Sequence, residues 1–414
     1  MQNDCFPDAT QDWPKSPLSV LAQQTPRYPV KKGTEYPFIE MASVGENFRG
    51  ILKVDSRKME GSGLSRFKAN DTLFAKITPC PENGKIAFVR SLPAELGIGS
   101  TEFIVLSPRE ATAPRFLFHL VCSHAVRGRA TTRMEGSTGR QRIPDDVFDR
   151  RLLVPIPGPD EQAAIARVLD AVDAAIERAR DAVAKARLLR VSLLQDLTMR
   201  CVKHYATERL DVHIAEGPTN GLYRPESDYR AAGTPIVRID SFADGAITGI
   251  DQLRRVTVPN ILRERFSLSV GDVLVNRVNA LSHVGKAAIV PHLHEPTIFE
   301  SNMMRLRCGQ RLLPEFLIVI LQSDIARRHW LARAKPAVNQ VSVNQRDVKD
   351  LQLPIPDKKM QRDVAGSIAA ADEMFLQRRS KLNALETLKR SLMHDLLAGT
   401  VRVDPALFKE EQPS

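Results

Sequence analysis

The chain has 414 residues, 43% of them apolar and 26% charged, which is the composition of an ordinary globular protein of roughly two or three domains. No apolar run approaches the roughly twenty residues of a membrane-spanning helix, and the five scattered cysteines argue against a disulfide framework or a zinc site. The N-terminus has no signal-sequence pattern and the net charge is +10, so we expect a cytoplasmic protein whose basic surface attracts phosphate groups.

A strand-rich module is predicted in the first third of the chain. Strand patterns occur in YPFIEMASV (36–44), DTLFAKITPCPENGKIAFV (71–89) and STEFIVL (100–106), and a helix follows in APRFLFHLVCS (113–123) with proline near its start. Residues 115–151 then contain eight arginines against four acids. This cluster includes RGRATTRMEGSTGRQR (127–142), whose glycines allow two backbones to approach each other.

The phrase VPIPGPDEQ (154–162) ends this module, and a long stretch without proline follows it. Apolar side chains recur in that stretch at steps of four and three, which predicts one long helix with a coiled-coil seam. The seam residues that we select are Ile165, Leu169, Val172, Ile176, Val183, Leu193 and Leu197.

The same sequence of elements then occurs a second time. TPIVRIDSF (234–242), DVLVNRVNALSHVGKAAIV (272–290), SNMMRLR (301–307) and LPEFLIVILQS (313–323) align with the four segments of the first module. Residues 305–349 hold nine Arg or Lys against three acids, and LPIPDKKMQ (353–361) follows them. Pro155 and Pro354 differ by 199 positions, and this register holds without a gap to Val202 and Val401. We infer an internal duplication.

The second long helix repeats the seam with Val364, Ile368, Phe375, Leu382, Leu385, Leu392 and Leu396. Single cations interrupt the two seams at Arg190, Arg378 and Lys389, where we expect the aliphatic stem to cover the seam and the charge to reach water. Neither helix can bury such a stripe alone, so we expect each to be the other's partner. The alternative is that both are ordinary core helices.

No catalytic motif is found in the sequence. There is no Walker A loop, no G-x-S-x-G, no H-E-x-x-H and no Asn/Asp-Pro-Pro-aromatic loop of an amino-methyltransferase. His283, His292 and His294 lie close together but lack further ligands at metal-binding spacing. The sequence therefore favours a binding protein without its own chemistry and without a metal.

The repeated phrases resemble the specificity subunit of Type I restriction–modification systems. They are PIPGPDEQAAIARVLDAVD (155–173), PIPDKKMQRDVAGSIAAAD (354–372) and the ending SLMHDLLAGTVRV (391–403). This chain departs from the pattern in LTMRCVKH, where Arg200 stands opposite Gly399, and at Met360, which replaces the Glu of EQ. The resemblance covers nearly the whole chain.

The resemblance implies an α+β fold in which two strand-rich α/β target-recognition domains are separated by two long antiparallel coiled-coil helices with pseudo-two-fold symmetry. We predict a flexible N-terminus (1–14), recognition domain 1 (15–158), a central spacer helix (159–203), recognition domain 2 (204–356), a C-terminal spacer helix (357–403) and a tail (404–414). Each domain would read half of a bipartite site in double-stranded DNA, and the helix pair would set the gap.

The resemblance also implies partners. Two methyltransferase subunits carrying S-adenosylmethionine would dock on the helices, and restriction subunits that use ATP and Mg²⁺ would join them. The chain itself would bind no cofactor and would not be an enzyme.

DNA contacts need planar donors and acceptors for base edges and cations or hydroxyls for phosphates. In the first module our candidates are Lys76, Thr78, Lys85, Arg129, Arg133, Ser137, Thr138, Arg140 and Gln141. In the second they are Arg277, Asn279, His283, Lys286, Arg333, Lys335, Asn339, Gln340 and Asn344. Two other hypotheses remain open, a coiled-coil interaction scaffold that does not read DNA and an enzyme with an unrecognised site.

Overall fold

The computed structural model describes residues 3–4, 6, 9–10, 12–61, 63–137, 139–148, 152–243, 245–337 and 340–408. The chain divides into two compact units, of which unit 1 contains Met1–Arg180 and Ser380–Ser414 and unit 2 contains Asp181–Arg379. The boundaries fall inside the two long helices. Each unit therefore consists of one strand-rich module and half of each long helix.

The described part of unit 1 contains three small sheets, with strand orders β1-β11-β2, β3-β10-β7-β8 and β5-β4-β9-β6. The strands are β1 (Asn3–Asp4), β2 (Lys15–Pro17), β3 (Ala22–Gln24), β4 (Glu35–Ile39), β5 (Asp55–Lys58), β6 (Ser65–Phe67), β7 (Thr72–Ala75), β8 (Ile86–Phe88), β9 (Gly97–Gly99), β10 (Phe103–Pro108) and β11 (Leu152–Pro155). The helices are α1 (Pro114–Cys122), α2 (His124–Thr131) and the beginning of α3 (Pro159–His204).

Unit 2 repeats this plan around a larger sheet of order β13-β23-β19-β21-β17-β16, with further sheets β14-β18-β15-β22, β20-β25-β24 and β12-β26. Its strands are β12 (Thr207–Arg209), β13 (Ile214–Asn220), β14 (Tyr229–Arg230), β15 (Thr234–Val237), β16 (Phe242–Ala243), β17 (Gly245–Ile247), β18 (Arg255–Val256), β19 (Val273–Asn276), β20 (Val278–Asn279), β21 (Ala287–Ile289), β22 (Ile298–Phe299), β23 (Met303–Cys308), β24 (Lys335–Ala337), β25 (Gln340–Ser342) and β26 (Gln352–Pro354). Its helices are α4 (Asn260–Arg265), α5 (Pro314–Gln322), α6 (Asp324–Arg333), α7 (Gln345–Lys349) and the beginning of α8 (Lys358–Ala398), which ends in unit 1.

The duplication extends to strand pairing. Phe38 of β4 pairs in parallel with Ile98 of β9, and Ile236 of β15 pairs in parallel with Ile298 of β22. The predicted alignment of residues 100–106 with 301–307 is wrong by one position. Phe103 faces Ala75 and Met303 faces Asn276, so β10 and β23 correspond at a spacing of 200 residues. Ser100 and Ser301 are identical in the sequence but occupy positions that differ by one residue in the two modules.

The two long helices end close to, but not at, the predicted residues. The first runs through His204, one residue beyond the predicted end. The second stops at Ala398, five residues before the predicted end, because Gly399 adopts a left-handed conformation with φ of +73°. The Gly399 backbone packs against Thr10 and Trp13, where a Cβ atom would come within 2.9 Å of both side chains.

The helix ends are built into the cores of the modules. In unit 1, Ile165 and Leu169 of α3 and Leu396 of α8 join one apolar cluster with Phe74 and Phe116. In unit 2, Val364 and Ile368 of α8 join the cluster of the second module. The remaining predicted seam positions are half-buried or buried: Val172, Ile176, Val183, Leu193, Leu197, Phe375, Leu382, Leu385 and Leu392. Among the helices of the described ranges, none is long and apolar enough to span a membrane.

Candidate nucleic-acid interface

A short glycine-bearing hairpin lies at the edge of the first module. The backbone N–H of Glu135 donates to the carbonyl of Arg142 (2.9 Å) and the N–H of Arg142 returns a bond to Glu135 (2.8 Å). Gly136 and Gly139 have φ of +124° and +83°, and a Cβ on Gly136 would come within 2.8 Å of the carbonyl oxygen of Arg140. The glycines are required at this turn because the two backbones meet there.

The hairpin attaches to the chain that continues β7. The N–H of Ile143 donates to the carbonyl of Lys76 (2.8 Å), and the N–H of Thr78 donates to the carbonyl of Gln141 (3.0 Å). The predicted residues Lys76, Thr78 and Gln141 are thereby brought together with two exposed residues of the hairpin tip, Ser137 and Arg140. Thr78 and Gln141, which are joined in this way, are 63 residues apart in sequence.

Two cations of this set are engaged within the module. Lys76 Nζ pairs with Asp145 at 3.0 Å, and Lys85 Nζ donates to the carbonyl of Met41 at 3.2 Å. Arg129, on α2, and Arg133, just beyond it, are half-buried. Thr138 lies outside the described residues. Among the described candidates of the first module, Ser137 and Arg140 at the hairpin tip are the exposed ones.

The second module has an equivalent hairpin. Strands β24 and β25 pair through Lys335 and Ser342, and β25 pairs with β20 through Ser342 and Val278. The N–H of Val343 donates to the carbonyl of Arg277 at 2.9 Å, as that of Ile143 does to Lys76 in the first module. In each unit a hairpin thus pairs with the segment that directly follows one sheet strand, β7 in unit 1 and β19 in unit 2.

Several predicted residues of unit 2 lie on this hairpin or on the segments that adjoin it and its partner strand β20. Lys335 and Gln340 are exposed on it, Arg333 is exposed at the end of α6, and Lys286 and His283 are exposed on the loop after β20. Asn339 lies outside the described residues.

Three candidates in unit 2 have local roles. The Arg277 guanidinium is half-buried and donates to the carbonyl of Ser301 at 3.3 Å. Asn279 accepts a bond from the N–H of Ala280 at 2.8 Å. Asn344 caps α7, because it accepts from the N–H of Asp347 (3.0 Å) while the Asp347 carboxylate accepts from the N–H of Asn344 (2.8 Å). This reciprocal capping box occupies the side chain of Asn344.

The glutamine that ends each proline phrase, Gln162 or Gln361, is buried and joins two segments by hydrogen bonds; we call these two residues the glutamine clamps. Gln162 Oε1 accepts from the N–H of Ala113 (3.0 Å) and its Nε2 donates to the carbonyl of Pro157 (2.9 Å). Gln361 makes the equivalent bonds, both of 2.8 Å, to Leu313 and Pro356. Each glutamine thereby ties the start of a long helix to the start of α1 or α5. The repeat shows that both copies share this glutamine, but it was not among the predicted site residues.

Glu161, the acid before the first clamp, has a partner within the chain. It accepts two bonds from Arg402 (2.6 and 2.8 Å) and one from the Trp13 indole N–H (3.2 Å). These contacts join α3 to the segment GTVRV (399–403) that follows α8. In the second copy Met360 stands at this position and is exposed.

The expectation that the cations in the helix seam reach water is wrong for two of the three. Lys389 pairs with Asp173 in unit 1, and Arg190 pairs with Asp372 in unit 2. Only Arg378 is exposed. The charges of Lys389 and Arg190 are each compensated by an acid on the other long helix.

A polar cluster without a counterpart in the second copy lies beside the first of these pairs. Arg115 Nε donates to both carboxylate oxygens of Asp170 (2.8 and 3.0 Å), and His119 Nε2 lies 2.7 Å from Asp170. Burial lowers the pKa of His119. Burial alone would raise the pKa of Asp170. Its hydrogen bonds with His119 and Arg115 outweigh burial and hold that pKa well below its usual range.

The atoms of His119, Asp170 and Asp173 lie within 4.8 Å of one another, close enough to share a metal ion. Arg115 and Lys389 already neutralise the two carboxylates, however. A divalent cation would have to displace both cations from a largely buried position. The donor set does not favour a metal.

Comparisons with known proteins agree with this architecture. Residues 20–186 match the family described as Type I restriction modification DNA specificity domain. The chain is 28% identical over 202 residues to a type I restriction enzyme MjaX specificity subunit of Methanocaldococcus jannaschii, covering 48% of this chain and 47% of that protein. It is 23% identical over 334 residues to the EcoKI specificity subunit of Escherichia coli, covering 75% and 69% respectively.

A solved structure has a similar fold over nearly the whole chain. The Type-I restriction-modification system S subunit from M. genitalium superposes with a TM-score of 0.57 at 17% identity, covering 93% of this chain and 96% of that one. In sequence, by contrast, the chain spans about half the length of the MjaX relative that it matches.

Proposed function

We propose that this chain is a specificity subunit of a Type I restriction–modification system, which reads a bipartite DNA sequence and catalyses no reaction itself. Residues 20–186 match the DNA specificity domain of that family, and the similar curated proteins are specificity subunits. The observation that carries the proposal is the duplicated hairpin. Residues 135–142 and β24–β25 are attached to equivalent strand ends in two modules of one chain. Two similar readers suit two half-sites, as in dimeric DNA-binding proteins.

The chemistry of the hairpins supports contact with DNA. Ser137 and Arg140 in unit 1 and Lys335 and Gln340 in unit 2 are exposed. Their side chains can donate hydrogen bonds to phosphate oxygens and to base edges. A hairpin is a two-stranded ribbon, which the major groove can admit. Arg333, Lys286 and His283 would contribute contacts beside the second hairpin. Because the two surfaces differ in sequence, we propose that they read different half-sites.

The long helices supply the other half of the proposed function. Both α3 and α8 contain residues of unit 1 and of unit 2, so we propose that they set the spacing between the half-sites. Leu189 and Leu388, at equivalent positions of the two helices, are 44% and 46% exposed, and Ser192 and Ser391 are identical and exposed one turn further. A duplicated exposed surface suits two copies of one partner, which we take to be methyltransferase subunits.

The cofactors of the assembly belong to those partners in this proposal. S-adenosylmethionine would be bound by the methyltransferase subunits, and ATP with Mg²⁺ by restriction subunits. The protein would act in the cytoplasm, where its DNA substrate is found.

The experiment is a map of methylated bases in cells that express this chain with the methyltransferase subunit encoded beside it. We expect a motif of two short half-sites around a fixed run of unspecified bases, which disappears when this chain is deleted. A stable complex that adds no methylation would contradict DNA reading and favour the scaffold hypothesis.

A further inference from the structure

A cleft of about 690 Å³ lies in unit 1 between the strand-rich module and the two long helices. We call it the helix-side cleft. The module lines it with the loop 47–51, the end of β8 and the first half of α1. The helices line it with one face of α3 between Asp173 and Arg180 and one face of α8 between Glu386 and Met393. The volume is that of a site for a small molecule.

The acids of the helix-side cleft are neutralised within the protein. Arg180 contacts Glu177 at 2.6 Å and Glu386 at 2.8 Å, and Lys389 pairs with Asp173. These are the three acids that line the cleft, whereas six cations line it. The cleft therefore has an excess of positive charge.

Three guanidinium groups of the helix-side cleft are exposed and available to a ligand. Arg49 is in the loop 47–51, Arg90 follows β8 and Arg390 is on α8. Within the described part of the chain none of the three forms an ion pair, and Arg390 donates only to the hydroxyl of Thr387 (3.0 Å). Guanidinium groups bind phosphate oxygens through charge-assisted hydrogen bonds. Three of them in one cleft favour a ligand with more than one phosphate group.

The same cleft contains flat surfaces on which a ring can stack. Phe48, Phe88 and Phe118 line it. The Arg115 guanidinium lies 4.8 Å from the ring centroid of Phe88 and 4.6 Å from that of Phe118, and Asp170 holds it there with two hydrogen bonds. Nucleic-acid bases stack on aromatic rings and on guanidinium planes. The ligand that fits both features has a flat ring and phosphate groups.

The loop of the helix-side cleft is held in a strained conformation. Asn47 and Phe48 both have left-handed backbones, with φ of +53° and +60°, which is costly for a bulky side chain. Their N–H groups donate to the carbonyls of Asn83 (2.8 Å) and Gly84 (3.0 Å). Such strain clusters at ligand-binding segments. Here it sets Phe48 and Arg49 at the cleft.

Unit 2 lacks this combination of residues. At the corresponding positions of its sheet and helices, aliphatic side chains replace rings, an acid replaces one arginine and valine replaces another. The pairs are Phe88 and Ile289, Phe118 and Ile318, Arg115 and Glu315, and Arg390 and Val191. The helix-side cleft is therefore not part of what the duplication conserved.

We propose that the helix-side cleft binds a free nucleotide with two or more phosphate groups. The base stacks against the wall of Phe88 and Phe118, and the phosphates contact Arg49, Arg90 and Arg390. Because the walls come from the module and from both helices, binding ties them together and stabilises unit 1. A DNA duplex does not supply this ligand, because its bases are paired and stacked on each other.

This nucleotide binding is separate from the proposed DNA reading. None of the residues that we propose to contact DNA lines the helix-side cleft. Failure of one proposal therefore leaves the other in place.

The test is calorimetric titration of the full chain with ADP, pyrophosphate and adenosine as separate ligands. ADP should bind about 10-fold more tightly than pyrophosphate, because base stacking adds to the phosphate contacts. Adenosine should bind more weakly than ADP by at least the same factor, because it has no phosphate. ADP should also raise the thermal midpoint of unfolding.

Exposed arginines provide matched variants. Arg90→Ala and Arg390→Ala should each weaken ADP binding about 10-fold, because each removes a charge-assisted contact. Arg178→Ala, an exposed arginine of α3 outside the cleft, should leave ADP affinity unchanged. All three variants without ligand should unfold at the wild-type midpoint, since the side chains are exposed.

Three results would overturn the inference. They are no binding of ADP at millimolar concentration, equal affinities for ADP and pyrophosphate, and an equal effect of Arg178→Ala and Arg390→Ala. Competition with a random-sequence duplex separates the two sources of phosphate. The duplex should not displace ADP; displacement, together with weaker duplex binding by Arg390→Ala, would place DNA in the cleft and contradict a free nucleotide.

Discussion

Asp173 of α3 and Lys389 of α8 form an ion pair in unit 1, and the same two positions of the repeat, Asp372 and Arg190, form the corresponding pair in unit 2. In each pair the acid comes from one long helix and the cation from the other. The side chains of Lys389 and Arg190 are 12% and 16% exposed. A duplicated charge pair at the helix contact favours one register of the two helices, because a shift by one turn would separate both cations from these acids.

Removing one acid should therefore cost stability. We expect Asp173→Asn to lower the free energy of unfolding by about 1–3 kcal/mol, since it leaves the largely buried ammonium of Lys389 uncompensated. Thermal and urea unfolding measure the change. Asp181→Asn, an exposed acid on the same helix, serves as the control. Equal stability of the two variants would contradict the role of the pair.

The glutamine clamps should matter equally in both copies. We expect Gln162→Met and Gln361→Met each to cost about 1–3 kcal/mol, because the buried carbonyl of Pro157 or Pro356 and the half-buried N–H of Ala113 or Leu313 lose their partner. Gln377→Met, on the exposed face of α8, should change little. Differential scanning calorimetry measures the stability of the three variants. Wild-type stability of either clamp variant would contradict a stabilising role of the amide at that position.

His119 should make unit 1 sensitive to acid. Burial lowers its pKa below the ordinary value of 6.5, so the unfolded chain takes up a proton as pH falls through that value while the folded chain does not. Stability is therefore lost as pH falls below 6.5 and is regained above it. We expect the thermal midpoint of wild type to fall between about pH 7.5 and about pH 5.5 by more than that of His119→Gln. Parallel decreases would exclude His119 as the cause.

The hairpin tip should contribute to DNA affinity. We expect Arg140→Glu to weaken binding to the cognate duplex and to reduce the slope of log affinity against log salt by about one, because one phosphate contact is lost. Arg178→Glu makes the same charge change on the exposed face of α3 and should leave the slope unchanged. Fluorescence anisotropy at several salt concentrations measures both, and equal slopes would remove Arg140 from the interface.

Asn344 allows structural and recognition roles to be separated. As the cap of α7 it should tolerate Asn344→Ser, which keeps a capping oxygen, whereas Asn344→Ala should cost about 1 kcal/mol. Methylation mapping of the serine variant should give the wild-type half-site. A serine variant that keeps its stability but changes the half-site would make Asn344 a base-reading residue.

Much of the fold could be predicted because its signals are local. Heptad spacing and the proline phrases predicted both long helices, and Gly399 marks an end that the sequence alignment extended to residue 403. The capping box at Asn344 and Asp347 is also local, and its three-residue spacing could have revealed it.

The candidate site could be predicted only in part because it depends on pairing across the chain. No local pattern indicates that the chain after β7 joins the hairpin at 135–142, or that Asp173 meets Lys389. Cations such as Lys76 were selected for their charge, but only the fold shows that Asp145 is within reach. Sequence can supply the residue types, whereas hydrogen bonding between distant segments decides which of them stay exposed.

The division of the helices between the units has a consequence for synthesis of the chain. Unit 2 is one continuous segment, Asp181–Arg379, but unit 1 is completed by Ser380–Ser414. Domains generally fold as they leave the ribosome, N-terminal parts first. Here the core of the first module and the Glu161 contacts are complete only after Leu396 and Arg402 have been synthesised. Translation that stops before these residues would release a finished second module and an unfinished first one.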